Sequence, residues 1–446
     1  MKNWCGVTWT RRWGERALAS IDVAQDTRVE RLLIEGGRAL RGRLRVAGAK
    51  NSSLAVIAAA ALAADRSTIE NVPRCRDVFT LLGILRALGM RAEFTRSGRL
   101  EVDARQIDTH VAPYDMCRQM RASYYAAGVL LARVGRAEVP LPGGDDFGTR
   151  PVDFHMRGFE ALGARVTTEH GYLKAEVSEI APAQFYVPRS SVGTTINLML
   201  AASRTRGITT LQNAAREPEV VDTAVFLSLL GARVRGAGTS TVTIEGTPDL
   251  RGATHAIIPD RIEAGTYLIA AAATRGDILV EDLISEHVTA LLSKLSDAGA
   301  TIDTNPLGVR VRVERELRPI EIDTAPYPGF ATDYHPQCAA MLVAVPGQSA
   351  IRETVFENRF QYVAELRRMG AELRVDGDTV IVSGVPRLSG ASVQAVDIRA
   401  GAAVVIAGLT ARGTTEIANI EHLDRGYEDM EEKLRSLGAE VQRVKI

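Results

Sequence analysis

Six times along the chain an apolar helical stretch halts at a small-residue stop built on one glycine. The stops are Ala87-Leu88-Gly89-Met90, Ala161-Leu162-Gly163-Ala164, Leu229-Leu230-Gly231-Ala232, Asp297-Ala298-Gly299-Ala300, Arg368-Met369-Gly370-Ala371 and Ser436-Leu437-Gly438-Ala439. Consecutive glycines stand 74, 68, 68, 71 and 68 residues apart, so one supersecondary unit is used six times and one copy explains most of the fold. Each copy carries an alanine-rich apolar run (54–64, 126–132, 196–202, 266–273, 338–345, 402–409) that reads as a buried helix. A turn and an alternating strand follow, as in Gly207-Ile-Thr-Thr-Leu-Gln and Gly413-Thr-Thr-Glu-Ile-Ala. Next comes an amphipathic helix, for example 221–230, which stops at the repeated glycine, a residue that takes the left-handed conformation without the cost of a Cβ. Two strands, such as 233–235 and 242–245, close a βαβαββ unit.

Six units exceed what one core of roughly 250 to 300 residues can hold, so two domains of three units are expected. The strand at 43–46 runs into Gly48-Ala49-Lys50-Asn51, and Ile258-Pro259-Asp260-Arg261 forms a similar junction halfway along. These junctions place one domain at 50–259 and the other at 31–49 plus 260–446, with two crossings forming a hinge over a cleft. Clefts between domains favour small-molecule sites.

The charge balance, 54 basic against 54 acidic residues with no cationic tract, argues against nucleic acid or an anionic membrane as partner. Cys5, Cys75, Cys117 and Cys338 show no metal-ligand spacing, which suggests a reducing, cytoplasmic setting. No apolar run is long and glycine-poor enough to span a bilayer, and no signal-peptide apolar region opens the chain. Residues 1–30, with Trp4, Trp9 and Trp13, are expected to be a poorly ordered extension, the alternative being a helix docked through its tryptophans.

Polar or charged residues mark the start of every alanine-rich helix: Lys50-Asn51, Arg121 with Ser123, Ser191 with Gly193, Asp260-Arg261, Asp333, and Asp397 with Arg399. Helix N-termini attract anions, so six of them facing one cleft would make an anion-attracting cavity. Ser191 and Asp260 also read as ordinary N-caps, and Asp260-Arg261 as a local ion pair. A cation such as Lys50, Arg121, Arg399 or Arg425 at such a place needs compensation, which a bound anion would supply. The excess in the longest gap falls on residues 140–153, where three prolines, three glycines and Asp145-Asp146 describe a mobile surface loop of the kind that forms lids.

Taken in order, Gly48-Ala-Lys-Asn51, Met120-Arg-Ala-Ser123, Leu141-Pro-Gly-Gly144, Arg150-Pro-Val-Asp153, Asn213 to Glu219, Pro259-Asp-Arg-Ile-Glu263, Phe356-Glu-Asn-Arg-Phe360 and Asp424-Arg-Gly-Tyr427 resemble the enolpyruvyltransferase family, from about residue 31 onward. Within that family the resemblance favours the branch acting on UDP-N-acetylglucosamine at the opening of peptidoglycan precursor synthesis. It implies an α/β fold, EPSP synthase-like: a two-domain inside-out α/β barrel of six βαβαββ repeats. It also implies that Lys50, Arg150, Arg399 and Arg425 surround the phosphate and carboxylate of phosphoenolpyruvate, a trianion suited to charge-assisted donors. Asn51, Arg121, Arg150, Pro151, Val152, Asp153, Arg189, Ser191, Val192 and Gly193 would hold the uridine nucleotide sugar, with Val355 and Arg359 completing the set. Asp333 would be the base at the acceptor hydroxyl. Glu217, Asp260, Arg359 and Asp397 match positions that organise the cleft.

The implied reaction is addition of the hydroxyl to C2 of phosphoenolpyruvate with protonation of C3, then loss of that proton and of phosphate. No metal or redox cofactor is needed. The family commonly has cysteine where Asp145 stands. A carboxylic acid can give the C3 proton but does not readily form the covalent adduct, so resistance to fosfomycin is expected. Asp146 beside Asp145 favours, and Arg150 opposes, retention of the proton that role requires. Asp145 and Lys50 both remain candidates for the proton donor.

Three departures bear on the acceptor: Tyr125 in place of tryptophan, Arg189 in place of lysine, and Tyr334-His335-Pro336 after Asp333 in place of a glutamine-containing sequence. They read either as drift at the rim or as a pocket retuned for the 3'-hydroxyl of UMP, as in nucleoside-antibiotic pathways. A non-catalytic UDP-sugar-binding paralogue is the third reading; it would have lost Lys50, Asp333 or Arg425, and all are present. The chain is expected to act as a monomer or weak homo-oligomer.

Overall fold

A computed structural model describes residues 30–145 and 152–445. The tryptophan-bearing extension, Asp146, Arg150 and Pro151 lie outside the described residues.

Six sheets are present among the described residues, five of four strands and one of three. The third copy shows the complete unit: strand Gln184–Tyr186, helix Val192–Ala202, strand Gly207–Gln212, helix Pro218–Leu230, then strands Arg233–Arg235 and Thr241–Gly246. All six stop glycines, Gly89, Gly163, Gly231, Gly299, Gly370 and Gly438, have φ between 91 and 119°. This is the left-handed conformation that ended each helix in the sequence reading.

The buried side chains form two cores. One runs from Ala49 to Ile257, and the other joins Leu32 to Val46 with Ile262 to Val441. At the centre of each lie three alanine-rich helices: Lys50–Ala60, Tyr125–Val134 and Val192–Ala202 in the first, Arg261–Ala273, His335–Leu342 and Ile398–Thr410 in the second. They are buried nearly all round, from Ala58 to Ala63 and again from Val404 to Ala407, so amphipathicity is absent where helices pack against one another as well as against sheets. The sheets lie outside them, which is the inside-out arrangement expected from the sequence.

Two strands change sides. Arg41–Arg45 opens the first unit yet pairs in parallel with Asp277–Glu281 of the fourth, and Thr254–Ala256 opens the fourth yet pairs in parallel with Arg66–Glu70 of the first. The segments that follow them cross side by side. Gly48 bridges Pro259, Ala49 N donates to Ile258 O at 2.7 Å, and Asp260 N donates to Ala47 O at 2.9 Å. Glycine is required at 48 because a Cβ there would stand 1.7 Å from Asn71 O. In the second copy the opening strand shrinks to one bridge, Val111 with Glu138. In the sixth, the chain start supplies a strand: Glu30–Glu35 lies between Thr414–Ala418 and Glu440–Lys445.

Candidate active site

The helix starts converge. A cavity of about 420 Å³, within the range that accepts small ligands, is lined from the first core by Lys50, Asn51, Arg121, Arg189, Ser191, Val192 and Gly193, and from the second by Arg261, Asp333, Val355, Arg359, Arg399 and Arg425. Asp145 and Val152, the ends of the described loop arms, also line it. Asp153 heads the helix Asp153–Ala161, with a buried Oδ1 that has no hydrogen-bond partner among the described residues.

The first turns of these helices are built by capping. Asp397 Oδ1 accepts from Arg399 N at 2.6 Å and Ala400 N at 2.8 Å, and Ser191 Oγ accepts from Thr194 N at 3.3 Å. Asp260 does more than cap its own helix. Its Oδ1 accepts from Ile262 N and Glu263 N, while Oδ2 accepts from Lys50 N at 2.9 Å, so one carboxylate closes two helix starts belonging to different cores. The local Asp260-Arg261 ion pair is not formed, because the Asp260 oxygens are occupied by backbone N–H groups. Arg261 instead reaches Glu219 across the cleft at 3.6 Å, and its guanidinium lies 5.7 Å from the Tyr327 ring centroid.

Compensation for the cleft cations comes from carboxylates. Lys50 Nζ donates to Asp77 Oδ2 at 3.1 Å, and Arg425 Nε donates to Asp77 Oδ1 at 3.0 Å. Arg425 Nη1 also donates to Asp145 Oδ1 at 2.5 Å. Burial works against the charge of Arg425, but Asp77 and Asp145 outweigh it and hold its pKa above the ordinary value. A second cluster joins Arg359 Nη2 to Asp333 Oδ1 at 2.8 Å and Arg399 Nη2 to Asp333 Oδ2 at 3.0 Å. Burial alone would raise the Asp333 pKa; Arg399, Arg359 and Arg261 override it and hold the carboxyl far below its usual range. Asp397 is pushed up by burial, with Arg359 opposing and Asp145 adding to the rise. Glu217 is also pushed up, by burial and by Glu219, and its buried Oε2 has no hydrogen-bond partner among the described residues.

The loop reading changes in one respect. Its first arm is seated, not splayed: Gly143 packs so closely on Arg118 O that a Cβ would stand 1.7 Å away, and the Asp145 side chain is 10% exposed. The charge facing Asp145 is Arg425, which the sequence reading did not connect to it.

Two residues absent from that reading belong to the site. Asp77, in the first turn of Arg76–Ala87, looks in sequence like an ordinary acid at a helix N-terminus. His155 lines the cavity below Gly193, where a Cβ would lie 3.6 Å from the His155 ring. Asn197 Oδ1 accepts from Gly128 N, which fixes the amide so that Nδ2 faces His155 Nδ1 at 3.1 Å. The ring proton therefore sits on Nε2. Burial, with Arg121 adding to it, lowers the His155 pKa to about 3, so the ring is neutral. Two of the three departures on the acceptor side are also not rim residues. Tyr125, Tyr334 and His335 are buried, with Tyr334 OH donating to Arg261 O at 2.7 Å; Tyr125 and the exposed Arg189 line the cavity. Among the described residues no group of His, Cys, Asp and Glu has a metal-binding arrangement, and no helix is long and apolar enough to cross a membrane.

Comparison with known proteins identifies the group this cleft belongs to. The family model of EPSP synthase (3-phosphoshikimate 1-carboxyvinyltransferase) matches residues 34–434. UDP-N-acetylglucosamine 1-carboxyvinyltransferase 2 of Symbiobacterium thermophilum is 49% identical over 93% of this chain and 98% of its own length. The enzyme of the same name from Carboxydothermus hydrogenoformans is 47% identical over 93% of this chain and all of its own. Among solved structures, the enolpyruvyl transferase NikO of Streptomyces tendae superposes with a TM-score of 0.85 at 28% identity, covering 94% of this chain and 100% of that one. EPSP synthase of Acinetobacter baumannii shares the fold, with a TM-score of 0.71 at 18% identity over 93% of this chain and 100% of its own. Matched along nearly its whole described length, the chain belongs to the EPSP synthase family of enolpyruvyl (1-carboxyvinyl) transferases.

Proposed function

We propose that this enzyme transfers the enolpyruvyl group of phosphoenolpyruvate to the 3-hydroxyl of UDP-N-acetylglucosamine, releasing phosphate, in the cytoplasm. One observation carries the chemistry: Lys50 and Arg425 from different cores meet on Asp77, beside a second cluster of Arg359 and Arg399 on Asp333. Two cationic centres flanking one cavity suit a substrate with a phosphate at one end and a carboxylate at the other. The acceptor assignment rests on relatives 46–49% identical that bear that enzyme's name.

In the addition step the acceptor oxygen bonds to C2 while its proton passes to Asp333, and C3 takes a proton from Asp145 or Lys50. In the elimination step C3 gives up a proton, the double bond reforms, and the C2–O bond to phosphate breaks. Lys50 and Arg425 stabilise the leaving phosphate. Arg121, Arg189 and the helix start at Val192 and Gly193 offer the diphosphate cations and backbone N–H groups, and the neutral His155 adds an Nε2–H donor. Arg150 and Pro151 remain assigned to substrate by the family pattern alone. The two cores serve as the domains that bring these groups together.

Asp333 needs a trigger, because a carboxylate gripped by two arginines is a weak base. When the phosphoenolpyruvate carboxylate draws Arg399 to itself, Asp333 loses part of that grip and becomes basic enough to accept the proton. Phosphate release from phosphoenolpyruvate, with UDP-N-acetylglucosamine, UMP or shikimate 3-phosphate offered separately, tests the assignment. Release with the nucleotide sugar is expected; release with UMP alone would overturn it.

A further inference from the structure

Two turns on the acceptor side of the cavity, one holding Asp333 and the other Val355, are tied to a single buried carboxylate, Glu353. Its Oε2 accepts from the Thr332 hydroxyl at 2.8 Å and from His335 Nδ1 at 2.9 Å. Its Oε1 accepts from the Thr324 hydroxyl at 2.9 Å, Val355 N at 2.9 Å and Phe356 N at 3.1 Å. The side chains of His335 and Glu353 have no exposed surface. Behind them, the Tyr362 hydroxyl meets His335 Nε2 at 2.8 Å. Burial lowers the His335 pKa, with Glu353 opposing, and the ring is neutral. An ionised carboxylate only accepts, so the ring proton sits on Nδ1 and Tyr362 donates to Nε2.

The connection to the cavity runs through Thr332 and Arg359. The Thr332 hydroxyl, which donates to Glu353, accepts from Arg359 Nη1 at 3.2 Å, and Nη2 of the same guanidinium reaches Asp333 Oδ1 at 2.8 Å. Tyr362, His335 and Glu353 do not line the cavity, so any effect they have on the reaction must pass through these neighbours.

We propose that the buried Tyr362–His335–Glu353 chain is a positioning device that fixes Asp333 and Val355 relative to each other, and so sets the enzyme's affinity for the acceptor but not for phosphoenolpyruvate. The proposal rests on the reading of Asp333 as the group at the acceptor hydroxyl. The carboxylate suits the task because its two oxygens offer about four lone-pair sites, and five donors from three chain segments fill them. Removing one donor leaves the others in place but frees one turn to move. Lys50, Asp77 and Arg425, at the phosphate end of phosphoenolpyruvate, share no hydrogen bond with this network among the described residues, and Arg399, assigned to the carboxylate end, meets it at Asp333 alone.

Steady-state kinetics on the full chain, with phosphoenolpyruvate and acceptor varied independently, test it. His335→Leu should raise KM for the acceptor about tenfold, the cost of leaving a buried acceptor without its donor, while KM for phosphoenolpyruvate stays within about twofold. His335→Gln keeps an N–H donor toward Glu353 and should recover most of that loss. Tyr362→Phe changes one atom far from the cavity and should raise the same KM by a smaller factor; it decides the matter if His335→Leu does not fold. Equal increases in both KM values, a fall in kcat with neither KM changed, or His335→Gln no better than His335→Leu would each overturn the proposal. If the unmutated chain turns over UMP and not the nucleotide sugar, the acceptor assignment falls, while the same variants measured with UMP still decide the positioning role.

Discussion

Asp77→Asn is the sharpest probe of the cleft, because it removes a charge on which two substrate-side cations depend while keeping the side chain's shape. The Asp77 carboxylate stands 3.1 Å from Lys50 Nζ and 3.0 Å from Arg425 Nε, and all three side chains are at most 13% exposed. At an effective dielectric of about 20, each contact at that separation is worth about 5 kcal/mol of gross attraction. Desolvation cancels much of it, and breaking such a buried pair costs about 3–5 kcal/mol net. Asp145 still faces Arg425, which puts the loss near the lower figure. For a cooperative unit of about 200 residues, a loss of about 3 kcal/mol lowers Tm by about 6 to 12 °C. The second half of the prediction has the opposite sign. With Asp77 neutral, the phosphate of phosphoenolpyruvate no longer competes with a carboxylate for Lys50 and Arg425, so the ligand should bind more tightly and recover more of the Tm than it adds to the unmutated protein. Turnover should fall, since Lys50 loses its anchor. Thermal melts with and without phosphoenolpyruvate, beside a binding isotherm, measure all of this. A Tm within about 2 °C of the parent together with unchanged phosphoenolpyruvate affinity would refute the reasoning.

Three further outcomes follow from the same geometry. His155, with a folded pKa of about 3 against an ordinary 6.5, resists protonation in the folded state, so its contribution is complete above pH 6.5 and is lost as pH falls toward 3. At pH 5 the loss is about 2 kcal/mol, and urea midpoints at pH 7.5 and 5 should differ less in His155→Gln than in the parent. Asp145→Ala should reduce turnover far more than phosphoenolpyruvate binding, and fosfomycin inhibition of the parent should disappear on dialysis; unchanged turnover in the variant moves the proton-donor role to Lys50. Arg399→Gln removes one of the guanidiniums that keep Asp333 ionised, so the acid limb of the kcat/KM profile should move to higher pH, and a profile superposable on the parent's would count against Asp333 as the base.

What the sequence disclosed is local or periodic. The six glycine stops announce a left-handed residue wherever they occur, and capping acids such as Asp397 and Asp260 lie within three residues of the N–H groups of the helices they head. What stayed hidden depends on separations that no window spans. Asp77 meets Arg425 across 348 positions, and its neighbour Arg76 gives no hint of the pairing. Glu353 takes three of its five donors from 18 to 29 positions away, so its role becomes visible only once two turns fold against it. The two crossings between the halves were legible at the junctions near Gly48 and Pro259, but the strands that Arg41–Arg45 and Thr254–Ala256 pair with were not, because each carries an equally good strand pattern for either sheet. Buried Tyr334 and His335 look like rim variation in a sequence because polarity alone does not distinguish a surface residue from a buried, fully hydrogen-bonded one.

The repeat brings cations to one place; the differences between copies keep them there without substrate. Six like helix starts converging on a cavity would repel one another if each carried a bare cation. Carboxylates of the same and of other copies prevent this: Asp77 serves Lys50 of its own copy and Arg425 of the sixth, Asp145 adds to Arg425, Asp333 serves Arg359 of its own copy and Arg399 of the sixth, and Glu219 serves Arg261. With the cations already paired, an anionic substrate that binds at them as proposed exchanges one anionic partner for another, and its binding free energy is the difference between two ion-paired states, not the attraction of an anion for free charge. On the proposed roles this exchange also ties chemistry to occupancy, because the phosphoenolpyruvate carboxylate takes Arg399 from Asp333, the proposed base. A symmetric ring of six identical units could bind the anion but could not couple binding to proton transfer in this way.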